Sequence, residues 1–318
     1  MLLLNTLQQL DIINPANFFL FLATAGLALF FLSAALAAPL LAVTTENIYV
    51  LRQKPFYDKC ALQITQTALG VGLFIFLILG AGLVYNVGIR SPEAMIFLLS
   101  SLKALVFLCA YLFTWSALKQ RRLLHLVLGW SAALAAIGLL FVWLLLLITD
   151  THPLFCMGCR IDFLQNPLPV LLALLAEFFS SPIMPLIYLG LLSTGLAAAA
   201  SFSQLWLIVR RSKADYGRDY YTFAMRYCAR AALFATLFSL MIGVSFTFLV
   251  WPLLTQPQDF GVAALAFVLP LACCLLWLGI AKSENPLRHK PGAFFACVLL
   301  FLALCIQLLM LLSVSLFV

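Results

Sequence analysis

Hydrophobic positions along this chain come in long blocks and not in alternation. Runs of about 20 apolar residues or more recur from end to end, each long enough to cross roughly 30 Å of hydrocarbon as a helix. Eight can be drawn: residues 18–43, 61–86, 94–118, 124–148, 183–209, 221–252, 261–281 and 293–318. The short alternating strands of a membrane β-barrel are missing from the pattern. The expected fold class is therefore an all-α integral membrane protein with eight transmembrane helices. No soluble domain is left over, and the largest piece between spans is 150–182.

Composition sharpens this. With 65% hydrophobic and 9% charged residues and a mean hydropathy of +1.13, the 318 residues cannot all be buried in one water-surrounded core. The opening MLLLNTLQQLDII has neither a basic n-region nor a small-residue cleavage site, so the first apolar run is expected to stay as an anchor.

Charge then orients the threading. Alternate connections collect the cations: Arg52, Lys54 and Lys59; Lys119, Arg121 and Arg122; Arg210, Arg211, Lys213 and Arg218, with Arg226 and Arg230 entering the next helix; and Lys282, Arg288 and Lys290. Of the 18 Lys and Arg residues, the other connections and helix ends hold only Arg90, Lys103 and Arg160. The positive-inside rule puts the basic connections in the cytoplasm and both termini outside, in what is expected to be a bacterial inner membrane. A pI near 9.0 then reflects a face attractive to anionic membrane lipids, and no nucleic-acid partner is implied.

Two stretches share a grammar. TENIYVLRQKPFYDKCALQITQTALG (45–70) and FSQLWLIVRRSKADYGRDYYTFAMRYCARAAL (202–233) each run from an aromatic through basic residues to a Tyr, an Asp and a Cys. KQRRLLH, ending in His125, is echoed by KSENPLRH, ending in His289. These echoes predict two pseudo-repeated four-helix bundles, residues 1–149 and 183–318, with 150–182 as an outer connection.

Candidate chemistry is sparse. Thr222, Arg226 and Arg230 are four residues apart and share one helix face. If that face turns inward, its guanidinium groups can hold an anion or a quinone oxygen; if not, Arg230 snorkels to the headgroups. Gln63, Gln66 and Thr67 form a matching polar face in the first half, and Ser201, Ser203 and Gln204 close the fifth helix at the same depth. Gln63, Gln66, Thr222, Arg226, Arg230 and His125 are the expected ligand-binding residues, with interhelical hydrogen bonding as the plain alternative. In the outer connection, Cys156 and Cys159 form a CxxC pair, a disulfide by default in an oxidising compartment and otherwise a redox pair. His152, Cys156, Cys159 and Asp162 have plausible metal-ligand spacing as a weaker alternative. The LPVLLALLAEFF segment that follows is too short to span and fits an interfacial helix. The remaining cysteines are expected to act as small buried hydrophobes.

With three histidines, of which only His125 and His289 share a side, at most one b-type haem is conceivable. No acid is expected inside the hydrocarbon, where proton- and cation-coupled transporters place one. Phosphate loops, zinc-protease motifs and a credible Ser-His-Asp set are all missing, which argues against an autonomous ATPase or hydrolase.

In helix count, size and bundle pairing the chain resembles the NrfD/PsrC-type quinone-interacting membrane subunits, and cytochrome bd-type subunits have a similar layout. The resemblance carries no motif over residue by residue. It implies a membrane-embedded subunit of a respiratory redox complex that meets quinone in the bilayer and docks an electron-transfer partner outside. Two other classes fit the sequence: a transporter for a small anionic solute using a cleft between the halves, and a scaffold or assembly factor. Each expects protein or lipid partners in the membrane.

Overall fold

A computed structural model of the chain describes residues 15–87, 92–118, 121–151, 175–176, 178–180, 182–211, 216–250 and 257–317. Eight long helices account for nearly all of them: α1 (Pro15–Arg52), α2 (Pro55–Val87), α3 (Pro92–Phe113), α4 (Arg122–Thr151), α5 (Ile183–Arg210), α6 (Arg218–Val250), α7 (Pro257–Lys282) and α8 (Lys290–Phe317). A short 3₁₀ turn, Pro286–His289, joins α7 to α8, and no strand occurs among the described residues. Seven helices are long and apolar enough to cross a membrane, while the apolar part described in α3, Phe97–Phe113, is shorter. The chain is thus an integral membrane protein. Large apolar side chains such as Phe74, Leu77, Phe234 and Phe248 lie exposed on the helix exteriors, as a lipid-facing surface requires.

The helices overrun the spans read from hydropathy. α1 has 38 residues, about 57 Å at 1.5 Å per residue, far more than the roughly 30 Å of hydrocarbon. It runs on through TTENIYVLR because nothing there breaks a helix. The stop comes at Gln53, whose φ of 55° is left-handed. Its N–H bonds the Tyr49 carbonyl at 2.7 Å and its side-chain amide donates to the Val50 carbonyl at 2.7 Å. Pro55, which needs no N–H partner, then opens α2. The first connection is therefore only Gln53 and Lys54, and Glu46 belongs to a helix and not to a loop.

Packing forms two four-helix rings. α1 and α2, α2 and α3, α3 and α4, and α4 and α1 are neighbours; α5 to α8 close in the same way. The rings join chiefly where α1 meets α5, with α1–α8 and α2–α5 contacts beside it. That seam is lined by small side chains: Ala34, Ala37 and Ala38 on α1, Ala197, Ala198 and Ala200 on α5, all buried. At one close approach, a Cβ on Gly195 would lie 2.4 Å from the Ser33 carbonyl oxygen and 3.1 Å from the Ala37 Cβ. Close backbone approach through small residues is how helices gain packing energy in a medium that supplies no hydrophobic drive between them.

Six of the seven described cysteines are buried and all seven are free thiols, as expected for small apolar side chains. One contact goes beyond that: Cys60 on α2 and Cys228 on α6 adjoin each other in the same buried cluster. The Cys156/Cys159 pair and the alternative ligand set with His152 and Asp162 lie outside the described residues. Of the expected interfacial helix, residues 175–176 and 178–180 are described and helical. Phe178 there packs edge-on against Phe141 and Tyr188, with ring centroids at 4.9 and 6.1 Å.

Candidate functional site

The end of the molecule that carries the basic connections also holds a buried ionic network. Glu46, six residues before the end of α1, is fully buried. Three partners converge on its carboxylate: the Tyr111 hydroxyl donates to Oε2 at 2.6 Å, His125 Nδ1 lies 2.8 Å from Oε1, and Arg122 Nε lies 2.9 Å from the same oxygen. The Arg122 N–H is not aimed along that last line, so the contact is ionic and not a hydrogen bond. Arg122 also donates to the Asp58 carboxylate on α2, and its guanidinium stacks 4.7 Å from the Tyr49 ring centroid and 5.6 Å from that of Trp115. Four helices thus meet through one set of charges.

Local structure places each member. Arg122 and His125 occupy the first turn of α4, three residues apart and on one face. Tyr111 sits near the end of α3, where a missing Cβ makes room for it. A side chain at Gly129 would come within 2.8 Å of the Tyr111 ring and 2.9 Å of Val43. Trp115, in the turn after α3, meets His125 edge-on at 4.7 Å and closes the site.

The hydrogen-bond pattern limits where protons can lie. His125 is 1% exposed. Its Nε2 lies 2.9 Å from the Tyr111 carbonyl oxygen, which can only accept, so Nε2 carries a hydrogen. Nδ1 faces a carboxylate oxygen at 2.8 Å, a distance that needs a second proton between the two. Written as imidazolium and carboxylate or as imidazole and carboxylic acid, the pair holds that proton. With Asp58 ionised and Arg122 charged, the whole network is then electrically neutral, the condition under which burial of charge is sustained. Chemically the arrangement can store one proton on a two-group site shielded from water.

The other polar residues of this layer bridge the two rings. Gln63 accepts a hydrogen bond from the Tyr220 hydroxyl at 2.7 Å, and Gln66 accepts one from Arg210 Nη1 at 2.5 Å. Gln204 donates to the Met225 carbonyl at 2.8 Å. Among the described residues the Gln63 side-chain N, the Gln204 side-chain O, the Ser201 hydroxyl and the Trp277 indole N–H are buried without a hydrogen-bond partner. Arg226 donates through Nε and Nη2 to the Ser283 carbonyl at 3.0 and 2.9 Å and through Nη2 to the Glu284 carbonyl at 2.9 Å. It thereby satisfies two carbonyls of the turn that follows α7.

The six expected ligand-binding residues therefore fall in three places. His125 lies in the ionic network. Gln63 and Gln66 lie at the α2–α5–α6 junction. Thr222, Arg226 and Arg230 line one recess, as their spacing predicts. Glu46, Asp58, Tyr111 and Arg122 were not among the expected site residues, and Glu46, which follows the apolar run 18–43, is buried on α1. The reason is physical: an acid among polar residues after an apolar run reads as a loop, but unbroken helix carries it back among its partners.

The donor set does not fit a haem held by His125 and His289. Both ring nitrogens of His125 are engaged by Glu46 and the Tyr111 carbonyl, and His289 lies exposed on the 3₁₀ turn. No cluster of three or more metal-ligating side chains occurs among the described residues.

Toward the opposite end, a cavity of about 150 Å³ opens between the rings. It is walled by Leu29 of α1, Trp143 and Leu144 of α4, Ile187 and Gly190 of α5, Ile242 and Phe246 of α6, Phe267 of α7 and Leu304 and Met310 of α8. Among the described lining residues the polar side chains are Ser239, Thr247 and Gln307, with the Trp143 indole adding one N–H. Ser239 is hydrogen-bonded to Thr194 at 2.9 Å and Thr247 to the Gly243 carbonyl at 2.9 Å. Neither the Gln307 amide nor the Trp143 indole N–H makes a hydrogen bond among the described residues, and these are the groups left to meet a ligand.

No protein-family model matches the chain, and no curated protein matches it.

Proposed function

We propose that this protein is the membrane-embedded subunit of a respiratory redox complex, interacting with quinone and with an electron-transfer partner outside. The observation that carries this reading is the inter-ring cavity. It is apolar, the size of a ring system, and furnished with one unspent amide at Gln307. That is the chemistry of a lipophilic ligand with a single hydrogen-bonding head, and an amide can donate to a quinone carbonyl or accept from a quinol hydroxyl. In this orientation the eight helices all span, α3 included. Both termini and the cavity lie toward the outside of a bacterial inner membrane, and the basic, network-bearing end lies in the cytoplasm. The two rings are the two halves of an internal repeat, with Cys60 and Cys228 as equivalent positions meeting at the seam. Oxidation of a quinol in the cavity sends two electrons to the outer partner and two protons to the outer water. The ionic network at the far end is neutral and closed, which keeps that side sealed against charge.

The test is purification in mild detergent, followed by mass spectrometry of extracted small molecules and copurifying proteins. Quinone retained together with a redox partner supports the reading. A preparation free of quinone and of any redox protein, from cells that make both, overturns it.

A further inference from the structure

We infer that the recess formed by Tyr57, Thr222, Arg226, Tyr227 and Arg230 binds a phosphate ester carrying one negative charge, supplied by the headgroup of an anionic membrane lipid. The recess is polar, about 340 Å³, and lies on the face of α6 that meets the start of α2. Arg230 is exposed and makes no hydrogen bond or ion pair with the described protein. Arg226 spends Nε and Nη2 on the Ser283 and Glu284 carbonyls, which fixes its guanidinium in place and leaves Nη1 open. Two guanidinium groups one turn apart on a helix, one of them held rigid, match the spread of phosphate oxygens. Thr222, one turn further, adds a hydroxyl.

Charge selects the ligand. Asp219 also lines the recess, and no ion pair within 4.0 Å joins it to either arginine among the described residues. With two arginines and one carboxylate the recess carries a net charge of +1, suited to a phosphodiester and poorly suited to a dianion. Depth selects the source. Arg230 is 12 residues into α6, about 18 Å along its axis, and no charged residue follows it before Val250. It therefore marks the level at which the helix enters hydrocarbon, where a lipid phosphate sits and a free solute does not. This inference stands whether or not the protein binds quinone.

The experiment is native mass spectrometry of the full-length protein, delipidated and then offered phosphatidylglycerol or phosphatidylcholine. The comparison variants are Arg230→Gln, which removes an exposed and unpaired group, and Thr222→Val. Phosphatidylglycerol should be retained about fivefold more strongly than phosphatidylcholine, the factor one basic side chain contributes near a membrane surface. Arg230→Gln should erase most of that preference while leaving the unfolding temperature unchanged. Equal retention of the two lipids, or a preference untouched by Arg230→Gln, overturns the site. Displacement of phosphatidylglycerol by millimolar inorganic phosphate overturns the lipid source, because it assigns the recess to a soluble phosphate.

Discussion

Removing the Glu46 carboxylate separates a buried proton-holding network from ordinary interhelical packing. In Glu46→Ala three contacts vanish: those with Tyr111 at 2.6 Å, His125 at 2.8 Å and Arg122 at 2.9 Å. Arg122 keeps Asp58, but the shared proton loses its acceptor and the Tyr111 hydroxyl is left buried and unpaired. Breaking a buried pair in this way costs about 3–5 kcal/mol. Glu46→Gln behaves differently. Its amide keeps the volume, accepts from Tyr111 and donates to Nδ1 of a neutral His125, and the charges of Arg122 and Asp58 still cancel, but the –NH2 now stands where Arg122 Nε met an oxygen at 2.9 Å. What is lost is that ionic contact and the charged character of the hydrogen bonds, about 1–3 kcal/mol. The assay is denaturation of the full-length protein in mixed micelles, followed by tryptophan fluorescence. A cycle with His125→Ala should give a coupling energy of about 0.5–3 kcal/mol. If Glu46→Ala costs less than about 0.5 kcal/mol, the ordinary scatter for surface changes, or if Gln costs as much as Ala, the reasoning about a neutral, proton-sharing cluster fails.

Other outcomes follow from single contacts. Gly195→Val must push α5 off the Ser33 carbonyl, an overpacking cost of about 1–3 kcal/mol or more; the unfolding midpoint in micelles reads it, and a midpoint equal to wild type would contradict the α1–α5 seam. Arg122→Lys keeps the charge but cannot face Glu46 and Asp58 together or stack on Tyr49 and Trp115, so stability should fall by about 1–3 kcal/mol in the same assay. Gln307→Leu should leave stability near wild type and lower quinone retention about fivefold or more, read by quinone content per mole of purified protein, because one hydrogen bond is worth roughly 1 kcal/mol.

Hydropathy made the helices legible because membrane insertion depends on local apolar length: seven of the eight expected runs coincide with helices long and apolar enough to span, and the eighth falls on α3, whose described apolar part is shorter. Their ends were less legible. The residues that stop a helix are local, Gln53 and Pro55 for α1, whereas hydropathy registers only where the oil stops. The site followed the same division. The four-residue spacing of Thr222, Arg226 and Arg230 is a property of one helix, so the shared face could be read directly. The Glu46 network draws on four helices, with Glu46 and His125 79 residues apart. Such proximity depends on which helices are neighbours, and the chain order of apolar blocks does not encode that. His125 and His289 end matching motifs, but a shared motif did not produce a shared environment: one ring is buried between α4, α1 and α3 while the other is exposed on the 3₁₀ turn. A usable signal for Glu46 existed in the absence of any Gly or Pro between the apolar run and Arg52, which kept the acid on the helix.

The most direct test of the central claim is photolabelling of the full-length protein in lipid nanodiscs with a diazirine-bearing quinone, followed by peptide mapping. Adducts are expected on the α5, α6 and α8 segments around Gly190, Ile242 and Gln307, suppressed by excess unlabelled quinone and reduced in Gln307→Leu. Labelling spread evenly over the lipid-facing helix surfaces, or unaffected by competitor, would contradict a quinone site between the rings.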